Sequence, residues 1–186
     1  MALQKLFIGK QIRLTALQQS DLETIAHWYH DSDFIRLYDG TVAAPRNREH
    51  WQKWYDDLNK SVNAYQFAIR LLDDKAIIGL IGLDGIIWNQ GVSGVGIAIG
   101  DPIQRGKGYG HEAMQLILQF AFHECNLHRV QLSVFSYNTA AIKLYERLGF
   151  IKEGVYREFI LRDGMRHDML LYSMLRHEWE AQSQNG

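Results

Sequence analysis

The residues that promise chemistry in this chain gather first at Arg105-Gly106-Lys107-Gly108-Tyr109-Gly110. Just before them, residues 95–99 form an apolar, strand-like run that breaks at Gly100-Asp101-Pro102. Just after them, Ala113, Met114, Ile117, Leu118, Ala121 and Phe122 recur at the three- and four-residue steps of one helical face. A strand, a glycine-rich turn and a helix make an anion cradle, because the first unpaired N–H groups and the positive end of the helix dipole converge there. Glycine lets that backbone approach a phosphate with no Cβ in between. Two common phosphate-binding patterns do not fit. A P-loop needs GxxxxGK followed by Ser or Thr, and Gly106-Lys107 is followed by Gly108. A Rossmann turn needs GxGxxG early in a parallel unit, whereas Gly106, Gly108 and Gly110 give GxGxG late in the chain, after strands that read as antiparallel.

Other reactive groups are scattered. Asp84 stands inside an apolar run, where burial would raise its pKa toward neutrality and suit it to accept a proton; beside Gly85 it serves a turn or bulge equally well. Tyr145 lies on the apolar face of a helical segment, where a tyrosine packs as readily as it reacts. His167 and Asp168 are secondary proton-transfer candidates at the end of a groove, while His123 and His128 read as helix-end and surface residues. Cys125, the sole cysteine, has no metal-type spacing around it and reads as a small packed residue near a helix end, so no metal is expected.

Positioning these groups takes a mixed fold. The 186 residues, 47% of them hydrophobic, are enough for one domain with its own core. Lys+Arg number 20 against Asp+Glu 21, a net charge of −1 that gives no general attraction to nucleic acid or an anionic membrane. The opening MALQKLFIGK lacks a signal-peptide run, residues 76–88 are too short to span a bilayer, and the lone cysteine suits a reducing compartment, so a cytoplasmic location is expected.

In chain order, residues 11–17 alternate as a strand, and Ser20 with Glu23 has the capping-box spacing. The helix that follows would turn Leu22, Ile25, Ala26 and Tyr29 inward and end at Asp31-Ser32-Asp33. Residues 34–48, punctuated by Gly40 and Pro45, read as a loop of the kind that lines substrate sites. A helix over 48–59 carries Trp51, Trp54, Tyr55 and Leu58 on one side, as core cover or as walls of an acceptor pocket. Strands over 65–72, 77–87 and 92–99 are joined by turns at Asp73-Asp74-Lys75 and Asn89-Gln90-Gly91. After the central helix come a strand over 128–135, a helix capped by Asn138 and stopped by Gly149, and strands over 154–160 and 165–175 joined at Asp163-Gly164. The order β-α-α-β-β-β-α-β-α-β-β predicts an α+β (mixed α/β) architecture, not a doubly wound sheet, with residues 181–186 frayed.

Arg105-Gly106-Lys107-Gly108-Tyr109-Gly110 also fits the pattern [Gln/Arg]-x-x-Gly-x-[Gly/Ala]. Together with the upstream GIAIGDP, the downstream LHRVQLSVFSYNTAAIKLYERLGF and the tail YREFILRDGMRHDMLLYSMLRHEW, it resembles the GNAT superfamily of acyl-CoA-dependent N-acetyltransferases. The resemblance runs over residues 12–179 and points to the branch of ribosomal-protein N-terminal acetyltransferases and polyamine (spermidine) acetyltransferases. It implies the GNAT fold, a twisted and mostly antiparallel sheet of about seven strands with helices on both faces, as one acyltransferase domain over residues 1–186. It implies acetyl-CoA as co-substrate. The N–H groups of Gly106, Lys107, Gly108, Tyr109 and Gly110 would then hold the CoA pyrophosphate, with Arg105 and Lys107 adding positive charge. The backbone of Ile97, Ala98 and Ile99 would pair with the pantetheine arm like an added strand. Asn138 and Ala141 would face the cofactor, Tyr145 would donate to the departing thiolate, and the Ala98 N–H would be the oxyanion donor where the strand opens.

The chain departs from that family at one position. Many members of the branch carry a glutamate in a Glu-Ile-Gly-Ile stretch of the fourth strand, and here the segment is Gly94-Val95-Gly96-Ile97. With Gly94 in the acid's place, Asp84 is the first substitute for a general base. The expected function is acetyl transfer from acetyl-CoA directly to a primary amine, a peptide α-amine or a small amine, through a ternary complex. Polyamine acetylation is the alternative and would draw on Asp31, Asp33, Asp39, Glu49, Asp56 and Asp57. A CoA-sensing domain without turnover and a nucleotide-phosphate binder complete the alternatives. A homodimer or higher homo-oligomer is the default expectation.

Overall fold

The computed structural model describes residues 5–183. Its elements are β1 (Ile12–Ala16), α1 (Leu22–Trp28), α2 (Ser32–Tyr38), α3 (Arg48–Lys60), β2 (Tyr65–Leu71), β3 (Ile77–Ile87), β4 (Val92–Ile99), α4 (Tyr109–Gln119), β5 (Arg129–Phe135), α5 (Thr139–Arg147), β6 (Ile151–Arg162), β7 (Met165–Leu175) and α6 (Arg176–Ser183). The strands form a seven-stranded sheet in the order β1-β2-β3-β4-β5-β7-β6. Every neighbouring pair is antiparallel except β4 with β5. Helices cover both faces. On one, Met114, Ile117 and Leu118 of α4, Tyr145 of α5 and Leu148 just after it pack on Ile12, Ile69, Ile81 and Val130. On the other, Leu22, Ile25 and Trp28 of α1, Phe34 and Ile35 of α2 and Trp51 of α3 pack on Ala68, Leu80 and Ala98. The mixed, mostly antiparallel sheet with two covered faces is the architecture expected from the sequence.

The parallel pair is short. β4 and β5 pair only at Val92↔Arg129, Ser93↔Val130 and Gly94↔Gln131. From Val95 to Ile99 β4 has a partner on one side only, β3. The sheet is therefore split into two halves, and the open edge of β4 faces the split.

Several expectations are corrected. Residues 32–38 are helical, because Asp31 does not end α1 but caps α2, its carboxylate accepting the Asp33 N–H at 2.9 Å. The cap before α1 lies two residues earlier than Ser20/Glu23: the Gln18 N–H donates to Asp21 at 2.8 Å. Of the α1 residues expected inside, Leu22 and Ile25 are buried and Ala26 and Tyr29 are partly buried against the same core, to which Trp28 adds a third buried side chain. β6 starts at Ile151 and ends at Arg162. Residues 181–183 belong to α6 rather than a frayed tail; its Trp179 ring packs on Phe122 at 5.2 Å and on His123 at 4.8 Å. Residues 1–4 and 184–186, which include the start of the N-terminal stretch and the rest of the expected frayed tail, lie outside the described residues.

One buried ion pair ties α1 to the sheet. Arg70 donates to Asp21 at 2.6 Å, to the Thr15 hydroxyl at 3.0 Å and to the Lys75 carbonyl at 2.5 Å. Both side chains are more than nine-tenths buried. Removing one member of such a pair strands the other charge, so Asp21→Asn is expected to destabilise the protein by about 3 kcal/mol. A denaturant midpoint that falls without a change in slope is the measurement.

Candidate active site

The glycine turn folds as an anion cradle. Gly106 (φ 74°) and Gly108 (φ 89°) both take the left-handed conformation, and Gly108 is the N-cap of α4. The first backbone bond of α4 from this turn is Glu112 N–H to the Gly108 carbonyl at 3.1 Å. Among the described residues, the N–H groups of residues 106–111 meet no protein acceptor. Lys107 is exposed beside them, its ammonium on Gln104 at 3.1 Å. Glu112, an acid in the first turn of α4, is turned to the N-terminal segment, where it accepts the N–H groups of Lys10 and of Gln11, the latter at 3.0 Å. It is thus kept from competing with an anion in the cradle.

Arg105 does a different job from the one expected. Its guanidinium donates to the Ile99 carbonyl and to the Gly100 carbonyl, each at 3.0 Å, and sits 5.7 Å from the centre of the Phe34 ring. Its charge binds the end of β4 to the cradle instead of standing free for a phosphate.

Strand parity also corrects the oxyanion donor. The Gly100 N–H donates to the Ile78 carbonyl at 3.0 Å. The β3–β4 register then runs unbroken from Gly79↔Ile99 to Asp84↔Gly94. Alternation along an antiparallel strand turns the Ala98 N–H toward β3, and those of Ile97 and Ile99 toward the split. The strand does not open at Ala98. The groups free to meet an added extended chain are on Ile97 and Ile99.

The other face of β4 is stripped of side chains at Gly94, Gly96 and Gly100, with only Ala98 between them. Asp84 is the cross-strand partner of Gly94. A Cβ placed on Gly94 would stand 2.1 Å from Asp84 Oδ1, so the carboxylate occupies the volume that a side chain at 94 would take. Solvent reaches Asp84, yet the surrounding protein removes enough water to raise its carboxyl pKa above the ordinary 3.8, an effect partly offset by its own backbone. Beside it the Tyr38 hydroxyl lies 4.0 Å from a Cβ built on Gly96. Burial and then the charges of Asp84 and Asp39 push the Tyr38 phenol up to about 12.

Asp84 and Tyr38 line a groove of about 410 Å³ whose walls include Tyr29, Trp51, Trp54 and Leu58. The α3 aromatics therefore both pack as core and wall a pocket, and residues 39–46 roof it. Of the acids considered for a polyamine, only Asp39 reaches the groove, and its carboxylate is engaged by the Thr41 N–H at 2.8 Å. Asp31 caps α2 and Asp57 pairs with Lys53 on the outer face of α3. Arg46 and His50 line the groove instead. His167 and Asp168 lie elsewhere: His167 meets the Tyr137 ring at 5.0 Å, and Asp168 accepts the Glu158 N–H at 2.8 Å.

Tyr145 is 7% exposed, its ring between Phe150 and Tyr172. Burial first, and then Tyr38, push its phenol up to about 12. Among the described residues its hydroxyl has no hydrogen-bond partner, which leaves its O–H free to donate. Asn138 caps α5, accepting the Ala141 N–H at 3.2 Å, and donates to the Leu37 carbonyl at 3.2 Å. The Ala141 N–H is consumed by that cap, so only its methyl is offered to a ligand. Cys125 is half-buried and its thiol is pushed up to about 11 by burial, then by Glu124, which keeps it an unreactive thiol.

A family model, the acetyltransferase (GNAT) domain, matches residues 11–151. The chain belongs to the GNAT acetyltransferases. It is 32% identical to the putative ribosomal N-acetyltransferase YdaF of Bacillus subtilis over 94% of this chain and 97% of that one. It is 27% identical to the [ribosomal protein uS5]-alanine N-acetyltransferase of Escherichia coli over 67% of this chain and 64% of that one. Its fold matches the crystal structure of spermidine N-acetyltransferase from Vibrio cholerae in complex with CoA and spermine, with a TM-score of 0.84 and 24% identity over 92% of this chain and 99% of that one.

As a GNAT acetyltransferase the chain uses acetyl-CoA to acetylate an amine, and its residues fit that co-substrate. The cradle at 106–111 offers unpaired N–H groups to a pyrophosphate, and the outward N–H groups of β4 offer an extended edge. Among the described residues no helix is long and apolar enough to cross a membrane, and no cluster of His, Cys, Asp or Glu could hold a metal ion. Tyr38 is not among the sequence-based candidates, because residues 34–48 read as a loop. The spacing of Phe34, Ile35 and Tyr38 after an Asp cap was the available helical signal.

Proposed function

We propose that this acetyltransferase transfers the acetyl group directly to the α-amine of a peptide, or to a small primary amine with an apolar body, with both substrates bound at once. The observation that carries the reading is the Asp84 carboxylate lying over Gly94, on the acceptor face of the strand whose open edge would hold the pantetheine. Asp84 takes the proton of the entering ammonium. The nitrogen lone pair then forms the N–C bond to the thioester carbonyl while the C–S bond breaks, and the second nitrogen proton, lost as the amide forms, ends on the sulfur so that CoA leaves as the thiol. The outward N–H groups of Ile97 and Ile99 are placed to meet the carbonyl oxygen as it gains charge, and Tyr145 donates a hydrogen bond to the departing sulfur. No covalent acetyl-enzyme is needed in this reading, because the proposed donor and acceptor sites flank one strand.

The groove favours one ammonium over several. A polyamine needs acids spaced along its length, whereas this groove sets Arg46 and aromatic walls beyond Asp84 and Asp39. The relationship to ribosomal-protein acetyltransferases supports a peptide end. A thiol-release assay with acetyl-CoA over short peptides beginning with Ala, Ser or Met, spermidine and an aminoglycoside is the test. Turnover with peptides above spermidine is expected. Spermidine as the better acceptor would transfer the assignment to polyamines, and CoA binding without turnover on any amine would make the domain a sensor.

A further inference from the structure

We propose that Tyr38 and Asp84 together hold the acceptor nitrogen, the Tyr38 hydroxyl being its second hydrogen-bond partner. The inference rests on the reading of Asp84 as the proton acceptor. Asp84 covers Gly94 and the Tyr38 hydroxyl stands over Gly96, two residues along the same face of β4. Same-face neighbours on a strand are about 6.5–7 Å apart. A nitrogen bonded to both oxygens at about 2.9 Å each spans at most about 5.8 Å, so the two side chains must lean toward each other over the strand, and Tyr38 does feel the Asp84 charge. Nothing on the strand competes for the space, since residues 94 and 96 are both glycine. The next residue, Ile97, turns its N–H to the split, so a nitrogen held here is one residue from the candidate oxyanion donor.

The segment bearing Tyr38 is held from the opposite half of the sheet. Tyr137 donates its hydroxyl to the Arg36 carbonyl at 2.5 Å, and Asn138 donates to the Leu37 carbonyl at 3.2 Å. Arg162 donates to the carbonyls of Asp39 at 2.9 Å and Thr41 at 3.2 Å, and Arg36 pairs with Asp163. Phe34 stacks on the Tyr38 ring at 5.9 Å with 18° between planes. These ties flank Tyr38 on both sides without engaging its hydroxyl, which has no partner among the described residues. With its pKa near 12 the phenol stays protonated and meets the amine through its oxygen lone pair. Asp84 removes one ammonium proton, Tyr38 accepts a remaining N–H, and the freed lone pair is turned to the split. A charge-assisted hydrogen bond of this kind is worth about 10- to 100-fold in binding or rate.

The test compares Tyr38→Phe, Tyr38→Leu and Asp84→Asn in steady-state kinetics with both substrates varied. Tyr38→Phe keeps the stacked ring and is expected to lower kcat/KM for the amine about 10- to 100-fold. The KM for acetyl-CoA and the acidic limb of the pH profile should stay as in the wild type. Wild-type kcat/KM in Tyr38→Phe, with loss only in Tyr38→Leu, would make the residue a packing element and overturn the holder. Loss of the acidic limb in Asp84→Asn alone keeps the base assignment even if the holder fails. Retention of that limb in Asp84→Asn overturns the base, and with it the foundation of the holder.

Discussion

Asp84→Asn is expected to lower kcat/KM for the acceptor by about 10²- to 10⁴-fold, the usual worth of a positioned general base. The KM for acetyl-CoA should hardly move, because the cradle and the open edge of β4 contain no part of Asp84. The sign of the pH dependence follows from the desolvated carboxyl. Its folded pKa lies above the ordinary 3.8, so wild-type activity falls as pH drops through that raised value. Stability runs the other way. A carboxyl whose folded pKa exceeds its unfolded one favours the protonated fold, so stability is fully present below 3.8 and is lost as pH rises through the folded pKa. Asp84→Asn should therefore melt higher than the wild type at pH 7 and match it near pH 3. A variant slower in catalysis but more stable is the combination expected of a strained acid kept for function.

The same residue allows a test of its origin. Gly94→Glu alone places a Cβ 2.1 Å from Asp84 Oδ1 and sets two carboxylates in one space, so a further loss of activity is expected. Combined with Asp84→Gly, the substitution moves the acid from β3 to β4, where the family resemblance would have it. The double variant should recover about 10-fold over Asp84→Gly. No recovery would show that the groove demands its acid on β3.

Tyr145→Phe is expected to reduce kcat by about 10²- to 10³-fold, the cost of one missing donor at developing charge. Phenylalanine keeps the ring between Phe150 and Tyr172, so thermal stability should change little. With the phenol near 12 and a thiol near about 8.5, complete proton transfer from Tyr145 to the sulfur is uphill. The residue therefore acts by a hydrogen bond to the thiolate. Rapid-mix measurement of CoA release at saturating acetyl-CoA separates the two roles: an unchanged kcat would leave Tyr145 as core packing.

What could be read along the chain was whatever depends on neighbours in sequence. The GxGxG turn, the capping asparagine, the apolar face of α4 and the seven strands are set by local periodicity, turn chemistry and capping, and each emerged from a handful of consecutive residues. The largest local correction, α2, arises because Asp31-Ser32-Asp33 reads as an end although its first aspartate starts the next helix, while the cap before α1 and the start of β6 shift by two or three residues. What could not be read was pairing. That Asp84 sits over Gly94 depends on the β3–β4 register. That Ile97 and Ile99, not Ala98, turn their N–H groups to the split depends on which residue of the pair begins the ladder. That Arg105 ends on carbonyls and Phe34 depends on how the strand end meets α2. The sequence by itself thus determined the glycine cradle proposed for the donor's pyrophosphate, since such a cradle is contiguous backbone. Only the tertiary structure decided what stands together in the proposed acceptor half, because Asp84, Tyr38 and the glycines of β4 come from three elements that meet only through long-range register and packing.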